Sequence, residues 1–223
     1  EHNADLKSRC KYLNSLSLRK LHYKSANGTD FTVGLIPQAQ FLAGAEDTLG
    51  KNITFNPNIP SEEVFTSPMK GQAEGIVYST RPLSYRGTMI ENFSVRFENG
   101  VVAEVKAEKG EDALKTLVNM DEGSKMLGEC ALVPYDSPIR NSGIMFYNTL
   151  FDENAACHLA LGDGFTSCIK DFDNYTLEQC RDMGINSSMI HEDFMIGSED
   201  LDIVGETETG ERVQIFKNGN WAF

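Results

Sequence analysis

Two of the four histidines fall within one stretch, Phe151 to Asp193. His158 sits in the apolar run Ala155-Ala156-Cys157-His158-Leu159-Ala160-Leu161-Gly162, and His191 stands two residues before Asp193 in His191-Glu192-Asp193-Phe194-Met195-Ile196. An acidic protein has few reasons to place imidazoles in such company. A metal site is one of them, because neutral imidazole is a favoured ligand of borderline divalent ions. If the second segment is a strand, His191 and Asp193 share a face and suit one metal cluster, while Glu192 points away and is not expected to be a ligand.

Glu129 is the one charge in Leu127-Gly128-Glu129-Cys130-Ala131-Leu132-Val133-Pro134. An unpaired buried carboxylate costs several kcal/mol, so it needs a cation, a basic partner or a proton, unless the strand lies at an edge and Glu129 faces water. This stretch alone leaves both open. Glu62 and Glu63 lie in Pro57-Asn58-Ile59-Pro60-Ser61-Glu62-Glu63-Val64-Phe65-Thr66-Ser67-Pro68, which its prolines make stiff and extended. Adjacent glutamates are usually solvated surface, so the pair is suggestive without being specific.

Taken together, Glu63, Glu129, His158, His191 and Asp193 are all oxygen or imidazole donors, a set that suits Zn²⁺ or Co²⁺ and less well Mg²⁺ or Mn²⁺. Five protein ligands exceed what one four-coordinate catalytic zinc needs while keeping a position open. Two divalent metal ions sharing a carboxylate would use them better, as in aminopeptidases, although no HExxH helix is present to fix that reading. Cys157 beside His158 could be a nucleophile, but a small thiol inside an apolar run reads first as packing. His22 on a strand reads as a half-buried packing residue, and Trp221, the single tryptophan, as packed.

The elements that position these residues follow from periodicity. Asp5 to Leu18 has helical spacing; Arg19–Tyr23 and Phe31–Leu35 flank the Asn27-Gly28 turn as a hairpin. Residues 41–52 read as loop, Ile53–Asn56 as a short strand, Gly75–Thr80 as a strand, and Arg81–Gly87 as a loop. The strongest hairpin signal is Asn92–Glu98 and Val101–Ala107 around Asn99-Gly100. Gly110–Asn119 reads as a helix with Glu111 and Asp112 in its first turn, and a second short helix is expected over Glu122–Met126. Thr176-Leu177-Glu178-Gln179 resembles a capping box on a helix that stops at Gly184. From Leu201 to Phe223 the pattern is strand and turn. The expected class is α+β: a mixed, largely antiparallel sheet with flanking short helices, in a single domain over residues 1–223.

At 223 residues and 40% apolar content the chain can bury a substantial core. No apolar run is long enough for a membrane span, and the first residues, Glu1-His2-Asn3-Ala4-Asp5, are neither a signal peptide nor a natural start, so a longer parent chain is expected. A net charge of −13 and a pI near 4.7 argue against nucleic acid or anionic lipid as partners. Five scattered cysteines without a CxxC pair fit a reducing, cytoplasmic setting.

Four segments, Asn58–Pro68, Gly128–Pro134, Leu150–Gly162 and His191–Gly197, closely resemble in order and spacing the aminopeptidase T/aminopeptidase S family of metallopeptidases, over about residues 20–221. The resemblance implies a cytoplasmic, homodimeric, dinuclear metallo-aminopeptidase acting on peptides with a free N-terminus. It places the family's ligands on Glu63, Glu129, His158, His191 and Asp193. Glu62, beside a ligand carboxylate, is the expected general acid/base. The chain departs from the family pattern at Phe165, where a tyrosine usually stands seven residues after the motif histidine. It also lacks the family's N-terminal α/β domain, so it resembles the C-terminal, metal-binding part of a two-domain enzyme. The competing expectation, carried by Phe165, is a metal- and peptide-binding or dimerisation module without hydrolytic activity.

Overall fold

The computed structural model describes residues 1–48 and 50–223. Helix α1 (His2–Ser15) leads into strands β1 (Leu18–Lys24) and β2 (Asp30–Leu35), followed by the two-residue strands β3 (Glu46–Asp47) and β4 (Thr54–Phe55). Then come β5 (Val64–Thr66), β6 (Pro68–Tyr78), β7 (Leu83–Tyr85), β8 (Thr88–Glu98), β9 (Val101–Lys109) and helix α2 (Glu111–Val118). Strand β10 (Leu127–Leu132) is followed by two single-turn helices, α3 (Pro138–Asn141) and α4 (Thr149–Asp152), and by β11 (His158–Gly162). Helix α5 (Leu177–Asp182) and strands β12 (His191–Met195), β13 (Asp202–Thr207), β14 (Arg212–Lys217) and β15 (Asn220–Trp221) complete the chain.

The strands form a nine-stranded sheet ordered β15-β14-β13-β1-β2-β6-β8-β7, with β9 against β8, a four-stranded sheet ordered β12-β11-β10-β5, and the small hairpin β3-β4. The α+β class and the largely antiparallel pairing are as expected, and every ladder among the described residues is in fact antiparallel. The β8-β9 hairpin turns at Asn99 and Gly100, both with positive φ (52° and 81°), the requirement of a type I′ turn. A Cβ on Gly100 would lie 2.0 Å from the backbone of Gly71, so close approach as well as φ demands glycine there. Helix α5 starts with the Thr176/Gln179 capping box, and α2 buries Leu114, Leu117 and Val118.

Some boundaries differ from expectation. Helix α1 begins at His2 and ends at Ser15, because Ser17 turns through a left-handed φ of 49° to start β1. The expected loops 41–52 and 81–87 contain β3 and β7, strands too short for periodicity to reveal; Leu49, within the first, lies outside the described residues. The expected second helix at 122–126 is a single 3₁₀ turn, Gly123–Lys125.

Both sheets contribute to one core. Leu21, Tyr23, Phe31, Val33, Val77, Val95 and Phe97 of the large sheet cluster with Val64, Cys130, Leu132, Leu159, Leu161 and Phe194 of the small one, and α1 adds Leu6 and Leu13. Each small-sheet residue in this set alternates with one facing the other way. That opposite face carries Glu63, Phe65, Glu129, Ala131, His158, Ala160, His191 and Asp193, so the core side of the small sheet fixes the position of the other.

Candidate metal centre

Ladder registry brings these residues together. Glu129 is paired with Ala160, and Ala160 with Asp193; Ala131 is paired with His158, and Gly162 with His191. Directly opposite residues project to the same side of a sheet, so donors alternate with Ala131, Ala160 and Gly162. Ala131 and Ala160 are fully buried, and a Cβ on Gly162 would lie 2.1 Å from Ile190 O, so close packing keeps these positions small. Strand β10 is central, between β5 and β11, and Glu129 is 4% exposed, which decides against an edge strand with Glu129 in water.

Both imidazoles are oriented by backbone carbonyls. His158 Nδ1 lies 3.0 Å from Ala156 O and His191 Nδ1 lies 2.7 Å from Asp163 O. A carbonyl only accepts, so Nδ1 carries the donated proton and Nε2 is the nitrogen turned to the cluster. His158 Nε2 approaches Glu63 Oε2 at 3.1 Å; His191 Nε2 approaches Glu129 Oε2 at 3.1 Å and Asp193 Oδ1 at 3.5 Å. Nevertheless His158 Nε2 and Asp193 Oδ1 are buried without a directed hydrogen-bond partner. Buried polar atoms are seldom left so, and two of them facing one cluster of carboxylates is the arrangement an ion would satisfy.

Donor atoms lie within 4.8 Å of one another in three overlapping triads: Glu63, Glu129 and His158; Glu129, His191 and Asp193; and Glu153, His158 and Asp193. The five donors singled out in the sequence are thus brought together, with Glu129 common to the first two triads. Glu153 is an addition. It lies in the 3₁₀ turn Glu153–Ala155 packed near β12, and its only sequence signal was an acidic pair immediately ahead of the His158 run. Burial pushes its carboxyl up to about 9, despite the opposing pull of His158. Burial also raises Glu129, to about 7, against the hydrogen bond from His191. Burial opposes charge on both histidines, yet their carboxylate partners prevail: His191 is raised to about 11 by Asp193 and Glu129, and His158 is raised well above its usual range by Glu63. Burial works to raise Asp193, but the imidazoles of His191, 3.5 Å away, and His158 outweigh it and hold the carboxyl low.

Glu62 is not brought into this set. Its backbone N donates to Asn154 Oδ1 at 2.7 Å, and its carboxylate lies 3.7 Å from His2 Nε2, away from the cavity that Glu63 lines. Alternation along an extended segment puts neighbours on opposite sides. Glu192 likewise does not line the cavity, and burial lifts its carboxyl to about 7. His22 instead bonds Thr32 Oγ1 at 2.9 Å and Glu206 Oε2 at 3.3 Å. Cys157 is buried, its Sγ donating to Val133 O at 3.2 Å and its thiol pushed up to about 12 by burial, which suits packing and not nucleophilic attack. Trp221 packs on Phe216 with ring centroids 4.5 Å apart.

The cluster opens into a cavity of about 370 Å³ lined by Glu63, Glu129, Glu153, His191 and Asp193 together with apolar side chains, Glu46 and the polar residues Asn58, Ser61 and Ser167. Phe165 stands at its edge, 37% exposed, with its ring 4.8 Å from that of His191 and 5.5 Å from that of Phe65. Its backbone N donates to Ser67 Oγ at 2.7 Å, so the aromatic ring is held against His191 with no hydroxyl to offer the site. No helix among the described residues is long and apolar enough to cross a membrane.

The model of the thermophilic metalloprotease (M29) family matches residues 1–221. Aminopeptidase AmpS of Bacillus subtilis (strain 168) is 51% identical over 222 residues, covering 100% of this chain and 54% of that protein. The solved structure of wild-type AmpT from Thermus thermophilus superposes with a TM-score of 0.92 at 43% identity, over 100% of this chain and 54% of that one. The chain thus spans about half the length of the relatives it matches. A 2,5-dihydroxypyridine dioxygenase from Pseudomonas putida KT2440 shares the fold alone, with a TM-score of 0.62 at 17% identity over 98% of this chain and 59% of that one.

Proposed function

Because the chain belongs to the thermophilic metalloprotease (M29) family, we propose that it is the metal-binding part of an aminopeptidase that hydrolyses the N-terminal peptide bond of peptides at a dinuclear site. One observation carries the reading. Two imidazoles, each locked by a backbone carbonyl, present Nε2 to a ring of buried carboxylates in which His158 Nε2 and Asp193 Oδ1 lack a directed hydrogen bond. Two divalent ions, Zn²⁺ or Co²⁺ in preference to Mg²⁺ or Mn²⁺, would be held by Glu63, Glu129, His158, His191 and Asp193, with Glu129 shared. When bound, such ions supply Lewis acidity that polarises a peptide carbonyl and acidifies water. The carboxylates of the cavity attract the substrate's terminal ammonium, and the enclosed apolar wall keeps bulk water from competing.

The proton-transfer role falls to Glu153 in preference to Glu62. Glu153 lines the cavity and its carboxyl is poised to hold a proton, whereas Glu62 is turned toward His2. General acid/base catalysis needs the group within reach of the reacting atoms, and of Glu62 and Glu153 it is Glu153 that lines the cavity. Glu153→Gln is expected to lower kcat by about 100-fold or more with two metals still bound, and Glu62→Gln to change it by less than about tenfold. The opposite result returns the role to Glu62. Residues 1–223 would form one domain of a cytoplasmic, homodimeric enzyme whose N-terminal domain is a separate unit.

A second reading rests on Phe165, whose ring occupies the cavity edge without a hydroxyl. In it the chain binds metal and peptide, or serves dimerisation, without turnover. Metal analysis and aminoacyl-nitroanilide assays on the full-length protein separate the two. Stoichiometric metal with turnover supports the enzyme; two metals with no turnover, rescued by Phe165→Tyr, supports the second reading.

A further inference from the structure

The face of the small sheet that carries the candidate donors continues past β5. Leu42 and Phe65 exchange both backbone hydrogen bonds, Leu42 N to Phe65 O at 2.9 Å and Phe65 N to Leu42 O at 3.0 Å, which adds Leu42 to the sheet as a further rung. Opposed residues of an antiparallel ladder share a face, as do residues two apart on a strand. Leu42 and Phe65 therefore project beside Glu63 into the same cavity, where Ala45, Pro57, Leu150 and Phe165 join them.

The cavity is divided as a result. Part of the lining is the donor ring; the remainder is mainly hydrocarbon, with Asn58, Ser61 and Ser167 as its uncharged polar members. Apolar surface kept open beside so many carboxylates is expensive to maintain unless something apolar covers it during function. Leu150 and Phe165, 43% and 37% exposed, form its outer rim, while Leu42 and Phe65 are half-buried and Ala45 is buried further in. No lysine or arginine among the described residues lines the cavity, and the only charge outside the ring is the exposed Glu46.

We propose that this wall is the subsite for the side chain of the substrate's first residue, and that it selects an apolar side chain and rejects an acidic one. The proposal rests on the aminopeptidase reading above. In cleavage of the first peptide bond a single residue lies on the amine side of that bond, so its side chain must share the enclosed space beside the donors while the remaining peptide leaves through the mouth. Leucine-sized side chains gain from contact with Leu42 and Phe65, whereas a carboxylate placed against that wall would lose its hydration beside Glu46, with no lysine or arginine lining the cavity to pair with it.

Binding of amino-acid hydroxamates to the metal-loaded, full-length protein tests this without requiring turnover. Leucine hydroxamate is expected to bind at least about tenfold more tightly than glycine hydroxamate, and aspartate hydroxamate more weakly than both. Leu42→Asp should erase the leucine advantage at unchanged metal stoichiometry. Leu150→Asp, at an exposed rim position where folding is not at stake, should reduce it by a smaller factor. Equal affinity for leucine and glycine hydroxamates, or an advantage that survives both substitutions, overturns the subsite and leaves the metal centre standing. Failure of every hydroxamate to bind the metal-loaded protein overturns the proposed function along with the subsite.

Discussion

Loading the centre with metal should expel protons, and the number follows from the side chains that hold them. Without metal at pH 7, the proton of His191 is secure, since its folded value of about 11 lies far above that pH. His158 retains its proton for the same reason, since the neighbouring carboxylates raise it well above its ordinary range. Glu129, at about 7, is half protonated, while Glu153, at about 9, keeps its proton as a group outside the proposed ligand set. Metal ligation needs neutral imidazole Nε2 and ionised carboxylate, so saturation should release about two to three protons per chain. Apparent overall affinity should then rise roughly a hundredfold to a thousandfold per pH unit near neutrality, a tenfold factor for each proton displaced. Isothermal titration with Zn²⁺ or Co²⁺ in buffers of different ionisation enthalpy measures the number directly. The expected pattern is a linear dependence of observed heat on buffer enthalpy with a slope of about two to three. Release of fewer than one proton would refute the reasoning, because neither imidazole could then have been protonated in the metal-free fold.

Metal-free stability carries a related signature. Between the unfolded value of 4.5 and the folded value of about 9, Glu153 binds a proton only when folded, and His191 does the same between 6.5 and about 11, so unfolding releases protons and stability falls as pH rises. The metal-free Tm should decline from pH 5 to pH 9, whereas saturating metal should reverse the trend near pH 6.5 by holding the donors deprotonated; a metal-free Tm that rises over this range contradicts the ring of protonated groups. Ala160→Leu places a bulky side chain between Glu129 and Asp193, its partners on either side, and is expected to abolish stoichiometric metal binding and, because Ala160 is fully buried, to cost about 1–3 kcal/mol of metal-free stability. Gly100→Ala must both strain a φ of 81° and push against the Gly71 backbone 2.0 Å away, and should destabilise by about 2 kcal/mol or more, read by urea unfolding; a loss below about 0.5 kcal/mol would mean the hairpin end relaxes freely.

What the sequence disclosed about the site, it disclosed through alternation. His191 and Asp193 at i, i+2, and Glu129 isolated among apolar residues, are visible because a strand buried on both faces leaves no ordinary place for a charge. Asn99-Gly100 marked its hairpin for a local reason, the φ values that turn requires. Glu62 and Glu63 could not be told apart in the same way, since which of two neighbours faces the cavity depends on how β5 pairs with β10, a relation across many residues of chain. Glu153 stayed hidden because its burial comes from where the 3₁₀ turn docks against β12, not from its neighbours in sequence. The division into two sheets was equally silent. Strands β5 and β6 are separated by Ser67 alone, yet belong to different sheets, and nothing in that short run shows that the chain changes partners there.

The carbonyl of Asp163 that holds His191 Nδ1 belongs to a residue whose own N donates to Ile190 O at 2.6 Å, so a closed loop of main-chain contacts joins the end of β11 to the start of β12. At Nδ1 the tilt of that imidazole is therefore set by the path of the chain, while side chains act on its Nε2 edge and its face. A genetic screen would pass over this contact, since every replacement at position 163 keeps the carbonyl. Only a change to the backbone itself, such as an ester in place of the amide that follows Asp163, would weaken the acceptor and expose how much of the centre's affinity is written in the main chain.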